Sequence, residues 1–191
     1  YGVATSVFTI RFEMYLTGGS SGVWYFFAGN GSSFGPAQSS GFTGSQVFTG
    51  IQFIFGSSST IRTKIRSNST WDSTTITGKP FAQSTAYRVG IVGNNSSGTV
   101  TYGSNSVAPN AYDLFVNDEL VGDNLPKALV ADATVINAFR FYGENSAANV
   151  ATIALDNIVW YNFIDAGIPL TVEVTPALTA DDYRLAQNFP N

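Results

Sequence analysis

Apolar and polar residues alternate with a period of two from the start of the chain. In the stretch VFTIRFEMYL, the residues Phe8, Ile10, Phe12, Met14 and Leu16 fall on one side of an extended backbone, and mostly polar residues fall on the other. Such alternation is typical of a β-strand that has one face on a hydrophobic core and one face towards solvent. The sequence therefore predicts an amphipathic first strand.

The next apolar segments predict a second strand and a hairpin. VWYFFAG is apolar on both faces, and a long polar loop rich in Gly and Ser follows it. VFTGIQFIFG and TIRTKIRS are joined by three serines, as in a β-hairpin. In TIRTKIRS, Ile61 and Ile65 alternate with basic residues, which indicates a strand with one dry and one wet face.

The remaining segments favour an all-β fold. Asn117-Asp118 predicts a tight hairpin turn, and LPKALVADA, from Leu125 to Ala133, is the one candidate for a helix. About ten short strands separated by turn residues favour an antiparallel two-sheet jelly-roll sandwich over an α/β fold. The other predicted strands are YRVGIVG, GTVTY, AYDLFVNDELVG, VINAFRFYG and TIALDNIVWYNF.

A change of composition near Asp165 predicts a domain boundary. We predict a jelly-roll domain over residues 1–166 and an extended C-terminal tail over residues 167–191. Aliphatic residues alternate with polar residues in the first part of the tail, and Pro169 and Pro176 bracket it. This pattern is typical of an edge strand or an extended linker.

Composition and charge restrict the classes of function. A chain of 191 residues fits one domain, and 44% hydrophobic with only 12% charged residues is unlike a disordered protein. The net charge is −4, and the nine basic residues are dispersed apart from Arg62, Lys64 and Arg66. Nucleic-acid binding needs clustered basic residues, and no apolar run approaches the roughly 18 residues of a membrane span. We therefore expect neither a nucleic-acid partner nor a membrane span.

The absence of cysteine and histidine argues against an enzyme. Serine triads, cysteine nucleophiles, thiolate metal sites and histidine-based zinc sites all need one of these residues. A glycosidase would need two carboxylates at a set separation. The glutamates Glu13, Glu119, Glu144 and Glu173 form no paired strand motif, and the adjacent Asp118 and Glu119 diverge on a turn. We therefore expect a protein without catalytic activity.

Three stretches resemble a known family of sandwiches. YDLFVNDELVGDNL, over residues 112–125, is similar to the hairpin of laminin-G-like, concanavalin-type jelly rolls. FRFYGENSAANVATIALDNIVWYN, over residues 139–162, resembles their closing pair of strands, and FTIRFEMYL resembles their opening strand. The resemblance covers most of residues 5–165 and implies the same jelly-roll fold.

The tail resembles a secretion signal. YRLAQNFPN, over residues 183–191, is similar to the opening of the C-terminal sorting domain of type IX secretion cargo from the Bacteroidetes group. This resemblance implies a secreted or cell-surface bacterial protein. Asp72-Ser73-Thr74 resembles the O-glycosylation acceptor of such proteins, which implies that Ser73 is a candidate for carrying a glycan.

Two kinds of binding site are candidates. Calcium prefers oxygen ligands at loop mouths, and the candidate ligands are Asp118, Asp123 and Asp156, although Asp and Asn are also ordinary turn formers. We expect no other cofactor. Trp71 lies among loop-forming residues in SNSTWDSTT and is the candidate platform for a sugar ring. The other two tryptophans lie on strands that are apolar on both faces, so we interpret them as core residues.

Two functional hypotheses follow. The first is a non-catalytic structural protein, a subunit of an extracellular filament, that forms a homopolymer through its terminal segment. A strand that is added head to tail to a neighbouring subunit does not close on itself and builds a filament. The alternative is a lectin-like, carbohydrate-binding module in which Trp71 contacts the glycan. The residues predicted for the assembly tail are Ile168, Leu170, Val172, Val174, Tyr183, Leu185 and Phe189.

Overall fold

The computed structural model describes residues 5–35, 43–73 and 81–165. Within these residues the chain forms thirteen β-strands and two short 3-10 turns, Ser32–Phe34 and Gly44–Gln46. The strands are β1 (Val7–Thr17), β2 (Gly22–Gly29), β3 (Val47–Phe55), β4 (Thr60–Ser67), β5 (Thr70–Asp72), β6 (Phe81–Ala82), β7 (Thr85–Asn94), β8 (Val100–Tyr102), β9 (Asn105–Val107), β10 (Ala111–Val116), β11 (Glu119–Pro126), β12 (Ala138–Gly143) and β13 (Thr152–Tyr161).

Two antiparallel sheets pack face to face. The five-stranded sheet has the order β11-β10-β7-β1-β13, and the six-stranded sheet has the order β12-β2-β3-β4-β5 with β6 paired to β4. The strands β8 and β9 form a separate hairpin. This arrangement confirms the all-β, antiparallel jelly-roll sandwich that the sequence predicts.

The core lies between the sheets and uses the residues that the alternation selects. The five apolar residues of β1 are at most 2% exposed, and from the other sheet Ile61 and Ile65 are fully buried. Phe8 stacks on Trp160, with ring centroids 4.8 Å apart, and meets Phe48 edge to face at 5.6 Å. Each such buried side chain stabilises the fold by roughly 1.5–3 kcal/mol relative to its exposed state.

The turn between β10 and β11 follows the predicted chemistry. Asn117 and Asp118 have φ of 50° and 68°, the left-handed region that both central residues of a type I′ hairpin turn occupy. Asn and Asp tolerate this region better than most residues. The predicted turn is therefore confirmed, as is the pairing of β3 with β4.

The one candidate for a helix, residues 125–133, does not form a helix. Leu125 and Pro126 complete β11, and the residues that follow form a loop across one end of β3. There the backbone N–H groups of Ala128 and Val130 donate to the carbonyls of Phe48 and Val47, at 2.8 and 2.9 Å. Two backbone N–H groups that a helix would hydrogen-bond internally therefore donate to β3 instead.

The tail predictions fall outside the described part of the chain. The sandwich occupies described residues between 5 and 165, whereas all of the residues predicted for the assembly tail follow residue 165. The filament hypothesis and the sorting-motif resemblance therefore stay predictions. In the described residues, no helix has the length and apolarity that a membrane-spanning helix would need.

Candidate functional site

The outer face of the six-stranded sheet carries aromatic side chains, because β2 is apolar on both of its sides. Trp24, Phe26 and Ala28 point to the core, so Tyr25 and Phe27 point to the opposite side. The neighbouring strands add Tyr142 from β12 and Trp71 from β5. We call the surface formed by Tyr25, Phe27, Gln52, Arg66, Trp71 and Tyr142 the aromatic face.

Strand register aligns these residues in two rows across the sheet. In the first row, Tyr142 pairs with Tyr25, which pairs with Gln52, which pairs with Lys64. The second row begins with the pairs Arg140–Phe27 and Phe27–Gly50 and ends with the pair Arg66–Trp71. Residues distant in sequence therefore become neighbours on one surface.

Gly50 allows Phe27 and Arg66, on the strands at either side of it, to lie close together. A Cβ atom at this position would lie 2.9 Å from the Cβ of Arg66 and 3.2 Å from the ring of Phe27. The first distance is below what real Cβ atoms show, and the atom it meets is close to the backbone of Arg66. Only glycine therefore allows Phe27 and Arg66 to approach across β3 without a shift.

The rings form a continuous layer. Tyr25 stacks on Phe27 with centroids 5.6 Å apart and ring planes at 10°. Trp71 lies 5.6 Å from Tyr25 and 6.1 Å from Phe27, and Tyr142 lies 5.9 Å from Tyr25. Phe27 is only 5% exposed and forms the floor, whereas Tyr25, Trp71 and Tyr142 are half-buried. Aromatic pairs at these distances attract one another beyond the burial of their area.

Polar groups border the rings. Gln52 Nε2 donates to the Tyr25 hydroxyl at 3.2 Å. Burial raises the pKa of Tyr25, opposed by this hydrogen bond and reinforced by the nearby Glu144. The Tyr25 hydroxyl therefore stays protonated at neutral pH and can both donate and accept hydrogen bonds. Among the described residues, the carbonyl oxygen of Gln52 and Nε of Arg66 have no hydrogen-bond partner.

Trp71 lies on the aromatic face, although its sequence neighbours suggest only a loop. It belongs to the short edge strand β5, and the guanidinium of Arg66 lies 5.5 Å from its ring centroid, within the range of a cation–π interaction. The other two tryptophans pack against the core, as predicted. Trp24 Nε1 donates to the carbonyl of Ala151 at 3.0 Å, and Trp160 Nε1 donates to Asn162 Oδ1 at 2.8 Å.

Sequence reasoning missed the partners of Trp71. Tyr25, Phe27 and Tyr142 come from segments that the sequence assigns only to apolar strands. The one available signal is that VWYFFAG and FRFYG have aromatic residues on both faces of a strand. That pattern indicates that one of the two faces carries rings away from the core between the sheets.

The three candidate calcium ligands are not brought together. Asp123 lies in β11 and Asp156 in β13, which are opposite edges of the five-stranded sheet. Asp118 forms an ion pair with Arg88 at 2.5 Å. In the described residues, no three acidic side chains are grouped as a metal site. Asp156 accepts a hydrogen bond from the backbone N–H of Asn157 at 2.8 Å, at the point where the register of β13 with β1 shifts.

Ser73 is exposed and directly follows β5. Its hydroxyl therefore lies at the surface, two residues from Trp71. The proposed role as an O-glycosylation acceptor stays a prediction.

No protein-family model and no curated protein matches this sequence. Among solved structures, the chain is similar to a Trypanosoma rangeli sialidase, at 16% sequence identity and a TM-score of 0.48. The match covers 84% of this chain and 21% of the sialidase chain, so this chain spans about a fifth of the length of that structure.

Two smaller structures are also similar. Sheep galectin-11, in a complex with glycerol, is 12% identical with a TM-score of 0.41, and the match covers 84% of this chain and 95% of the galectin. A PL7 alginate lyase from the marine Zobellia galactanivorans is 16% identical with a TM-score of 0.45, covering 83% of this chain and 64% of the lyase. At these identities the similarity concerns the fold alone.

Proposed function

We propose that this domain is a non-catalytic, lectin-like module of a secreted or cell-surface protein, and that its aromatic face binds carbohydrate. The observation that supports this proposal is the layer of half-buried rings, Tyr25, Trp71 and Tyr142, over the buried ring of Phe27. Aromatic side chains bind the apolar face of a sugar ring and offer a polar group at their edge.

The polar groups beside the rings suit sugar hydroxyls. The Tyr25 hydroxyl and the Gln52 amide can donate and accept, and both lie in the row that also contains Tyr142. Binding sites for small polar ligands commonly combine aromatic walls with a few such oriented polar groups.

The proposal of a non-catalytic module rests on the chemistry of the chain. The sequence has neither histidine nor cysteine, and most glycosidases use two carboxylates held at a set separation. The groups that define the aromatic face are rings, an amide and a guanidinium. These groups bind and orient a glycan but do not constitute an acid–base pair.

The test is the affinity of the Trp71→Ala variant for a glycan that the wild-type protein selects on a glycan array. We expect the affinity, measured by calorimetry, to fall by about tenfold or more, which corresponds to about 1.4 kcal/mol. Trp160→Phe is the matched control, because Trp160 lies on β13 of the five-stranded sheet and packs against the core. This variant should bind the glycan with unchanged affinity. The proposal is wrong if no glycan binds, or if Trp71→Ala binds as tightly as the wild type.

A further inference from the structure

The basic residues are distributed unevenly over the two sheets. The outer face of the six-stranded sheet carries Arg62, Lys64 and Arg66, which alternate along β4 with core residues. It also carries Arg140 on β12, opposite Phe27. The basic residues in the described part of the chain are Arg11, Arg62, Lys64, Arg66, Arg88, Lys127 and Arg140. Four of these seven therefore lie on one sheet face of a protein whose net charge is −4.

The three other basic residues are each paired with a carboxylate. The ion pairs are Arg11–Asp165, Arg88–Asp118 and Lys127–Asp132. In contrast, the three basic residues of β4 form no ion pair in the described residues. Alternate residues on a strand are roughly 6.6 Å apart, so β4 holds a row of like charges that repel one another. Such a row weakens the sheet slightly, and no carboxylate of the described residues neutralises it.

Two of the rings, Tyr25 and Phe27, lie on β2, between the basic residues of β12 and those of β4. Lys64 is the last residue of the row that contains Tyr142, Tyr25 and Gln52. Arg66 and Phe27 lie on either side of Gly50. On the opposite side of the rings, Nη1 of Arg140 donates to the carbonyl of Ser33 at 3.4 Å. Glu144 borders the face next to Tyr25, so the surface is not uniformly positive. A ligand that covers Tyr25 and Phe27 would meet Arg140 on the β12 side and Lys64 and Arg66 on the β4 side.

We propose, on the basis of the function proposed above, that the glycan is an acidic polysaccharide whose carboxylate or sulfate groups lie against Arg62, Lys64, Arg66 and Arg140. The rings take the apolar faces of the sugars, and the basic side chains take the anionic groups. Arginine is suited to this role because its planar fork binds carboxylate and sulfate-like oxygens in pairs. The charge complementarity distinguishes this ligand from a neutral glycan.

The experiment compares polymers that differ only in charge. Polygalacturonate and its methyl ester share one backbone, as do dextran sulfate and dextran, and oligo(dT) is a polyanion of another kind. We expect the wild-type protein to bind at least one of the two charged polysaccharides at least tenfold more tightly than its neutral counterpart. Its affinity should fall as salt rises from about 50 to about 200 mM, since salt screens exposed charges. The two charged polymers separate carboxylate from sulfate recognition.

Charge variants test whether these side chains are responsible. Arg62→Gln together with Lys64→Gln should lower the affinity about tenfold and flatten its salt dependence, without removing the Arg66–Trp71 contact. Arg88→Gln is the matched control, because it removes one positive charge from the other sheet, and it should leave the affinity unchanged. A double variant that binds like the wild type contradicts the proposal.

The remaining outcomes separate the two proposals. If a neutral polymer binds as tightly as its charged counterpart and the binding depends on Trp71, carbohydrate binding stands and the anionic ligand is wrong. If none of the four polysaccharides binds but a neutral glycan from the array does, the anionic ligand is wrong and carbohydrate binding stands; if no glycan of the array binds either, both proposals are wrong. If oligo(dT) binds as tightly as the polysaccharides and Trp71→Ala has no effect, the face is a general polyanion surface, which also overturns the proposal.

Discussion

The outer faces of the two sheets differ in how their apolar side chains are covered. On the five-stranded sheet, the β8–β9 hairpin packs Tyr102 and Val107 onto Val92, Ala111 and Phe115, and this cluster is almost completely buried. On the six-stranded sheet, the rings of the aromatic face are equally close to one another but remain half-buried. The chain itself therefore covers the five-stranded sheet over β7 and β10, although Val159 on β13 is 39% exposed, whereas the six-stranded sheet presents its rings at the surface.

The two faces also treat charge differently. On the five-stranded sheet, Arg88 pairs with Asp118, and the buried Asp113 accepts hydrogen bonds from the Tyr102 hydroxyl and the backbone N–H of Asn124. On the six-stranded sheet, the basic row of β4 has no acidic partner in the described residues. Basic residues therefore have different surroundings on the two sheets. Arg88 is neutralised by a carboxylate of the same sheet, whereas the basic residues of β4 keep their charge for a ligand of the kind proposed above.

The largest predicted effect concerns Tyr102. Tyr102→Ala should lower the free energy of unfolding by about 3–5 kcal/mol. It removes a buried ring that packs on Phe115 and the hydroxyl that donates a hydrogen bond to Asp113. Trp71→Ala should cost at least about 1 kcal/mol less, since Trp71 is only half-buried. Urea denaturation measures both values.

Tyr102→Phe separates the two contributions of Tyr102. It keeps the ring contact with Phe115 and removes only the hydrogen bond to Asp113, so it should lower the free energy of unfolding by less than Tyr102→Ala does.

If Tyr102→Ala and Trp71→Ala lowered the free energy of unfolding equally, the difference between a covered and an open face would be contradicted.

A smaller effect is expected from the pH dependence of Asp113. Burial raises the pKa of this carboxyl, and the hydrogen bonds from Tyr102 and Asn124 oppose that shift only in part. The carboxyl group of Asp113 therefore stays protonated to a higher pH in the folded protein than in the unfolded chain, in which an Asp titrates near pH 4. The contribution of Asp113 is fully present below that pH and is lost as the pH rises through the folded-state pKa.

Asp113→Asn should remove this part of the pH dependence. The measurement is the free energy of unfolding of both proteins from about pH 3.5 to about pH 7. The stability of the wild type relative to the variant should decline as the pH rises. A relative stability that increases with pH would show that the carboxylate is stabilised in the folded state, and a constant one would show that its pKa is not shifted; either result contradicts the prediction.

The smallest effects concern single surface charges. Arg88→Gln should lower the free energy of unfolding by about 0.2–1 kcal/mol, as for a partly exposed ion pair. Arg62→Gln should change it by less, or raise it slightly, because it relieves repulsion from Lys64 and breaks no ion pair in the described residues. Thermal denaturation of the two variants beside the wild type provides the comparison. A larger loss for Arg62→Gln would mean that the row on β4 stabilises the fold.

The fold could be predicted largely from the sequence, because periodicity and turn chemistry are local. The residues of β1 that alternate towards the core are buried as predicted, and Asn117-Asp118 forms the expected turn. The candidate helix over residues 125–133 does not form for a tertiary reason, since backbone N–H groups of Ala128 and Val130 donate to β3. Local propensity does not account for such a competing partner.

The candidate site could be predicted only in part. Trp71 stands out because its sequence neighbours are polar, and it lies on the aromatic face. Its partners could not be found, because Tyr25, Arg66 and Tyr142 meet it only through strand pairing across the six-stranded sheet. A register shift of one residue would move each of these side chains to the other face. Sequence periodicity assigns residues to faces, but it does not give the order or the register of the strands.

The pairing of β1 with β13 has a mechanical consequence. The ladder runs from Thr9–Tyr161 to Thr17–Thr152, and the described chain therefore enters and leaves the sandwich at the same end of this ladder. In an antiparallel ladder the hydrogen bonds lie perpendicular to the strands. Tension applied to both ends of the domain would load them one pair after another, starting at Thr9–Tyr161. A domain tethered through both ends would therefore yield to force by unzipping β13 from the edge of its sheet.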